Sequence, residues 1–197
     1  DDAVYSNRPV ANATSYTWAL PPGAVIDGPP AGTAITVDFG AAAADGSITV
    51  SAVNGCGSSF NTASLAVSIF ARPVPALSGN TTVNINDIEV YATDDGMSAY
   101  SWALSAGGLI MAGGGASDDS ITIQWTTGGA QWVSVSYTNA HNCAALTPTL
   151  LGVTVNLLPG KPATPAGLTQ MCSGSPDTPY TTTGAAGAVS YIWSVSP

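Results

Sequence analysis

Lysine and arginine occur only three times in 197 residues, as Arg8, Arg72 and Lys161. That scarcity excludes nucleic acid as a partner, because phosphate binding needs clustered cations to displace counterions. The net charge of −9 opposes it further and also works against an anionic membrane surface. Charged residues of both signs reach 8%, against roughly 25% in an average soluble protein. The surface must therefore be made of Thr, Ser, Asn, Gly and Ala rather than of ion pairs. Long apolar runs are lacking too, and none approaches the roughly 20 residues of a membrane span, so no membrane insertion is expected. The N-terminus has no signal-peptide pattern. His141 is the only histidine, which rules out a cluster of imidazole metal ligands, and no Gly-x-Ser-x-Gly elbow is present. These gaps predict a chain that is not an enzyme. Three cysteines cannot all pair within one chain. With low Lys and abundant Thr, Ser and Gly, cysteines close to strand ends point to an extracellular protein.

What the chain does have is one five-residue pattern, three times over. It reads Tyr16-Thr17-Trp18-Ala19-Leu20, Tyr100-Ser101-Trp102-Ala103-Leu104 and Tyr191-Ile192-Trp193-Ser194-Val195. Tyr, Trp and an aliphatic residue at i, i+2 and i+4 share one face of a β-strand. A strand with one heavy aromatic face covers a core, so each copy marks a small β domain. The predicted core signature is Tyr16, Trp18, Tyr100, Trp102, Tyr191 and Trp193.

The rest of the repeat follows in order. Ile35, Val37 and Phe39 match Ile121, Ile123 and Trp125; Ile48, Val50 and Ala52 match Val133, Val135 and Tyr137. Leu65, Val67 and Ile69 match Val153, Val155 and Leu157. Early strands are expected around Ala3–Ser6 and through Val83, Ile85, Ile88 and Val90. No window carries sustained apolar residues at helical spacing, and 22 Gly and 14 Pro interrupt every run. The predicted fold is all-β, a tandem of immunoglobulin-like β-sandwiches, and the Trp-to-Trp periods of 84 and 91 suit that size.

Arg72-Pro73-Val74-Pro75 and Pro159-Gly160-Lys161-Pro162 read as linkers. They divide the chain into 1–71, a repeat without its first strand; 72–158, a complete repeat; and 159–197, the N-terminal part of a third. The third is expected to form strands near Leu168–Met171, Pro179–Thr183 and Tyr191–Val195, and it cannot close a two-sheet core alone. A chain that begins and ends inside a repeat reads as a piece of a longer protein.

The Tyr-x-Trp strand, the Ile-Thr-Val-x-Phe strand and the later strand ending in Asn54 or Asn139 together resemble PKD-like repeats. The resemblance spans the whole chain. It implies immunoglobulin-type sandwiches strung in tandem in large surface proteins, notably of Bacteroidota, among them gliding adhesins and cargo of type IX secretion. Repeats of this kind usually act as spacers, so the likeness bears on fold more than on function. In PKD domains the motif is followed by Asp-Phe-Gly-Asp-Gly. Here Ala19-Leu20-Pro21-Pro22-Gly23 and Ala103-Leu104-Ser105-Ala106-Gly107 follow instead, which places the chain in the divergent set and removes that acidic turn.

Candidate chemistry is sparse. His141 lies in a turn after a strand, where a solvated histidine is expected. The pairs Asp94-Asp95 and Asp118-Asp119 offer oxygen ligands to calcium, the one cofactor considered, yet Asp is also a standard turn residue and no Asp-x-Asp-x-Asp-Gly is present. If Val133, Val135 and Tyr137 face the core, Trp132 faces outward on the same strand. There it either stacks on a sugar ring or a neighbouring molecule, or packs under a loop or the next domain.

Cys56 and Cys143 follow equivalent strands, and Cys172 sits in the first strand of the third repeat. The register suggests one disulfide per repeat between first strand and late turn, with the partners of Cys56 and Cys172 outside the chain; Asn84 holds the early position of the second repeat, so Cys143 is expected to be unpaired. Asp119-Ser120-Ile121 resembles the Asp-Ser/Thr-aliphatic sites that Bacteroidota O-glycosylate, which makes Ser120 a candidate, and Asn12 and Asn80 open N-glycosylation sequons.

The expected role is mechanical, a stalk or filament segment of a large cell-surface adhesin. Its partners would be neighbouring repeats, an extracellular glycan or surface, or further copies of itself. The alternatives are a glycan- or protein-binding module, and accessory repeats of a secreted hydrolase.

Overall fold

The computed structural model describes residues 2–195, and all regular structure in them is β-strand. The chain divides into two compact units, Asp1–Ala71 and Arg72–Pro197.

Unit 1 holds β1 (Asp2–Ser6), β2 (Ser15–Ala19), β3 (Ala24–Asp27), β4 (Ala34–Phe39), β5 (Gly46–Asn54), β6 (Gly57–Ser58) and β7 (Ala63–Val67). One sheet runs β1-β4-β3; in the other, β5 carries β2 on one side and β6 and β7 on the other. Period-2 alternation decides the facing of β4: Ile35 and Val37 are buried while Thr36 and Asp38 are not.

Unit 2 holds β8 (Thr82–Asn84), β9 (Ile88–Ala92), β10 (Ser98–Leu104), β11 (Gly108–Gly113), β12 (Ser120–Trp125), β13 (Gly129–Thr138) and β14 (Thr149–Asn156). Its sheets run β11-β12-β9 and β10-β13-β14-β8. A single cluster draws from both: Tyr91, Ile121, Ile123 and Trp125 from the first, and Val83, Val133, Val153 and Val155 from the second. Two sheets sharing one core make a β-sandwich, the all-β fold that the strand spacing predicts.

Three details differ from expectation. β3 and β11 form in stretches for which the sequence predicts no strand. In β9, Ile88 and Val90 point outward and Tyr91 points in, fully buried opposite Ile121. Residues 159–195 form no strand; an isolated bridge between Ala166 and Thr181 is the β-pairing there. Consequently Tyr191 and Trp193 are not core residues, and Trp193 is 53% exposed. An aromatic face forms a strand only against a partner ladder, and among the described residues nothing pairs with this stretch.

Candidate functional site

The repeated Tyr-x-Trp pattern does more than fill space. Tyr16 and Tyr100 are buried at the ring, and each hydroxyl reaches back to a loop six residues upstream. Tyr16 Oη accepts from the Val10 N–H at 2.8 Å. Tyr100 Oη donates to the Asp94 carbonyl at 2.8 Å and accepts from the Met97 N–H at 3.0 Å. Tyr191, although exposed, makes the same reach, accepting from the Ala185 N–H at 2.5 Å. The half-buried tryptophans tie down a second loop, with Trp18 Nε1–H donating to the Gly32 carbonyl (3.0 Å) and Trp102 Nε1–H to that of Asp118 (2.9 Å). The hydroxyl and indole thus satisfy loop backbone groups that would otherwise be stranded near the core. The partners are backbone groups of unlike residues, Val10, Asp94 and Ala185, so neither a motif nor strand periodicity marks them in the sequence.

The acidic pairs sit in the same loops. The Asp94 carboxylate accepts from the Tyr137 hydroxyl and from the Ala76 N–H, the latter at 2.9 Å. The hydrogen bond from Tyr137 holds the Asp94 carboxyl below the ordinary carboxylate range, with the Ala76 amide adding to it. Burial, then the neighbouring Asp94, pushes the Tyr137 phenol up to about 12. Asp118 accepts from the Gly115 N–H at 2.8 Å. Among the described residues no three His, Cys, Asp or Glu side chains converge as a metal site, and these carboxylates act as turn acceptors.

Because the folded-state pKa of Asp94 is depressed, its contribution is present above the unfolded carboxylate value and is lost as pH falls through the folded one. Asp94→Asn is expected to lower stability at pH 7 by about 1 kcal/mol, near the low end for a charged hydrogen bond because the site is partly solvated. The gap to wild type should close as the pH is taken below about 4, in denaturant titrations across that range. A gap that stays constant with pH would overturn the assignment.

The other candidates stand apart from one another. Trp132 lies on β13, 37% exposed, immediately before the buried Val133. It faces Gly152 across the ladder, where a Cβ would meet nothing within 4 Å. Its N–H donates to Ser105 Oγ at 3.2 Å. His141 is exposed in the turn, its backbone N–H donating to Asn139 Oδ1. Ser120 opens β12, half-buried, and its carbonyl accepts from the Gly114 N–H. Asn80 donates its side-chain amide to Glu89 Oε2 at 2.7 Å, while Asn12 is exposed in a turn with φ 65°.

No disulfide joins the three cysteines; Cys56 and Cys172 are exposed. In unit 2, where Cys143 is expected to be unpaired, the early position is held by Asn84. Asn84, at the position of Cys172, pairs with Asn156 at the end of β14 lying beside Gly129. Cys143 follows Thr138, at the opposite end of β13. At about 3.3 Å per residue that strand separates the two positions by roughly 30 Å, far beyond the roughly 7 Å a disulfide can bridge.

The family described as PKD-like domain matches residues 1–67 and 72–153. Among solved structures, the chain is similar to the fibronectin(III)-like modules of Clostridium thermocellum CbhA, at 15% identity and a TM-score of 0.32, over 79% of this chain and 86% of that one. It is similar to Yersinia pseudotuberculosis InvD at 15% identity and a TM-score of 0.33, over 88% of this chain and 59% of that one. A third likeness is to domains 4 and 5 of the S-layer protein SbsC, at 14% identity, a TM-score of 0.28, and 73% and 72% coverage. No curated protein matches the chain.

Proposed function

The chain belongs to the PKD-like domain family, and from that premise we propose that it is a non-catalytic spacer, a stalk segment of an extracellular surface protein that carries tension. One observation carries this reading. In unit 2 the segment leading into the sandwich runs parallel to the strand leading out of it. Arg72 Nη1 donates to the Ala144 carbonyl and Thr149 Oγ1 to the Pro75 carbonyl. Thr154 N–H then donates to the Thr81 carbonyl and Ile85 N–H to that of Asn156, flanking the parallel β8–β14 pair. A pull on the two ends of such a unit shears these bonds together rather than unzipping them singly. The weakly charged, Thr-rich surface suits a role without electrostatic partners.

Single-molecule pulling of the 197-residue chain tests this. Unit 2 should give a discrete event with a contour gain of about 27 nm, the Thr82–Asn156 span at about 3.6 Å per residue. It should yield at higher force than unit 1, where the first and last strands share no ladder. Equal forces, or no event for unit 2, would remove the reading.

A second reading, a glycan-binding module, rests on the outward Trp132 and the open space over Gly152. Glycan-array signal abolished by Trp132→Ala supports it; an intact chain that binds no glycan counts against it.

A further inference from the structure

The cores of the two units agree, but one facing pair on the outer surface does not. The ladders set Ile48 against Leu65 and Val133 against Leu151, so Ser47 and Ala66 of unit 1 correspond to Trp132 and Gly152 of unit 2. Unit 1 folds with a small pair at this position, so the sandwich requires neither the indole nor the glycine. Glycine inside a strand weakens it and often marks a place where another group comes close. A facing aromatic ring can cover such a glycine. Trp132 does not, because a Cβ built at Gly152 meets nothing within 4 Å.

Polar groups beside this gap lack partners. Ser134, two residues along β13 on the same outward face, is only 8% exposed, flanked by Ala103 and Leu150. Its hydroxyl bonds to nothing among the described residues, and its oxygen stays open to the exterior. Trp18, Trp102 and Trp125 each donate the indole N–H, whereas that of Trp132 has no acceptor among the described residues. Nearly buried hydrogen-bonding groups are normally satisfied, so these await a partner from outside. Around them Ser101, Ala130, Ser136 and Thr154 are small and uncharged.

We propose, on the glycan-binding reading above, that this face holds one sugar ring of a neutral, glucose-type polysaccharide. The ring stacks on Trp132 and lodges over Gly152, where any larger side chain would stand in its way. Ser134 Oγ and the Trp132 indole N–H bond its hydroxyls. A pyranose with equatorial hydroxyls presents only C–H bonds on its faces, which suits stacking on an aromatic ring. Neutrality follows from charge. No cation stands among these outward positions, and the net charge of −9 repels uronates and sulfates. An open sheet face has no end wall, so it takes an internal segment of the polymer rather than a chain end.

The test titrates a β-1,4-linked glucose hexamer into the 197-residue chain and follows the indole N–H signals by NMR. The Trp132 signal should shift saturably at millimolar sugar while that of Trp18 stays in place. W132A and G152V should each bind at least tenfold more weakly. G152V should melt no lower than wild type, since its side chain enters open space. A galacturonate hexamer should bind at least tenfold more weakly than the glucose hexamer. Binding of the glucose hexamer equally by G152V or W132A overturns this site and leaves the glycan-binding reading standing, as does a chain that binds other glycans but not this hexamer. A chain that binds no glycan on an array overturns both. A Trp132 signal that moves with protein concentration and not with sugar assigns the face to a second copy and overturns the proposal.

Discussion

Trp125→Ala is expected to cost unit 2 about 3–5 kcal/mol, the range for emptying a large aromatic site in a core. Trp125 is fully buried, so the loss includes a cavity that surrounding β-structure closes poorly. It also includes a polar term. Trp125 Nε1–H donates to Tyr91 Oη at 3.0 Å, and Tyr91 Oη in turn donates to the Asn80 carbonyl at 3.0 Å. Removing the indole leaves the buried Tyr91 oxygen without its donor. Small domains hold only about 5–15 kcal/mol in total, so the variant should be substantially unfolded at modest temperature or urea. The corresponding change in unit 1, Phe39→Ala, should cost clearly less, because Phe39 is only partly buried and offers no hydrogen bond. Urea titrations of both variants, with unit-resolved amide signals, compare the two. A cost below about 1.5 kcal/mol for Trp125→Ala would mean that the core is not organised around this residue.

How much of this was legible beforehand depended on whether a residue's neighbours lie close in sequence or far away. The alternation in β4, β5, β12 and β13 is local and strong, so those strands and their buried faces follow from period 2 alone. The same rule misreads β9. Ile88 and Val90 are the apolar members of the alternation, yet Tyr91 is the buried one, because pairing with Ile121 and the bond from Trp125 decide the facing. β3 and β11 are edge strands without a buried residue, so no hydrophobic face announced them. Tyr191–Val195 shows the opposite failure. Its pattern matches β2 and β10, but a strand is a property of a pair, and β5 and β13 have no counterpart among the described residues after 159. The sequence places Trp132 outward through simple alternation. The loop-tying hydroxyls of Tyr16 and Tyr100, which depend on a partner backbone six residues upstream, required the structure. Sequence register says that Asn84 corresponds to Cys172, and only the ladder shows that Asn84 and Cys143 lie at opposite ends of a strand.

Gly79→Ala is the second large effect, expected to cost about 3 kcal/mol. A Cβ built at Gly79 falls 2.2 Å from Tyr91 Cδ1 and 2.7 Å from Cε1, and the residue sits at φ 153°. Overpacking of a buried site costs about 1–3 kcal/mol, and left-handed backbone at a non-glycine adds roughly 1 more. The ring cannot swing aside, because Tyr91 is fully buried and its hydroxyl is held by Trp125 and Asn80. The chain supplies its own control. Gly167 meets Tyr180 in the same way, with a Cβ position 2.4 Å from Cδ1, and Tyr180 Oη donates to the Leu168 carbonyl. Tyr180, however, is 44% exposed, and its hydroxyl bond to Leu168 is solvated. Gly167→Ala should therefore cost less than about 0.5 kcal/mol, the ring moving out to make room. Measured side by side by thermal denaturation, the two alanines separate steric contact from burial. If they cost the same, close approach alone sets the penalty, and the rigidity assigned to the Tyr91–Trp125 pair is wrong.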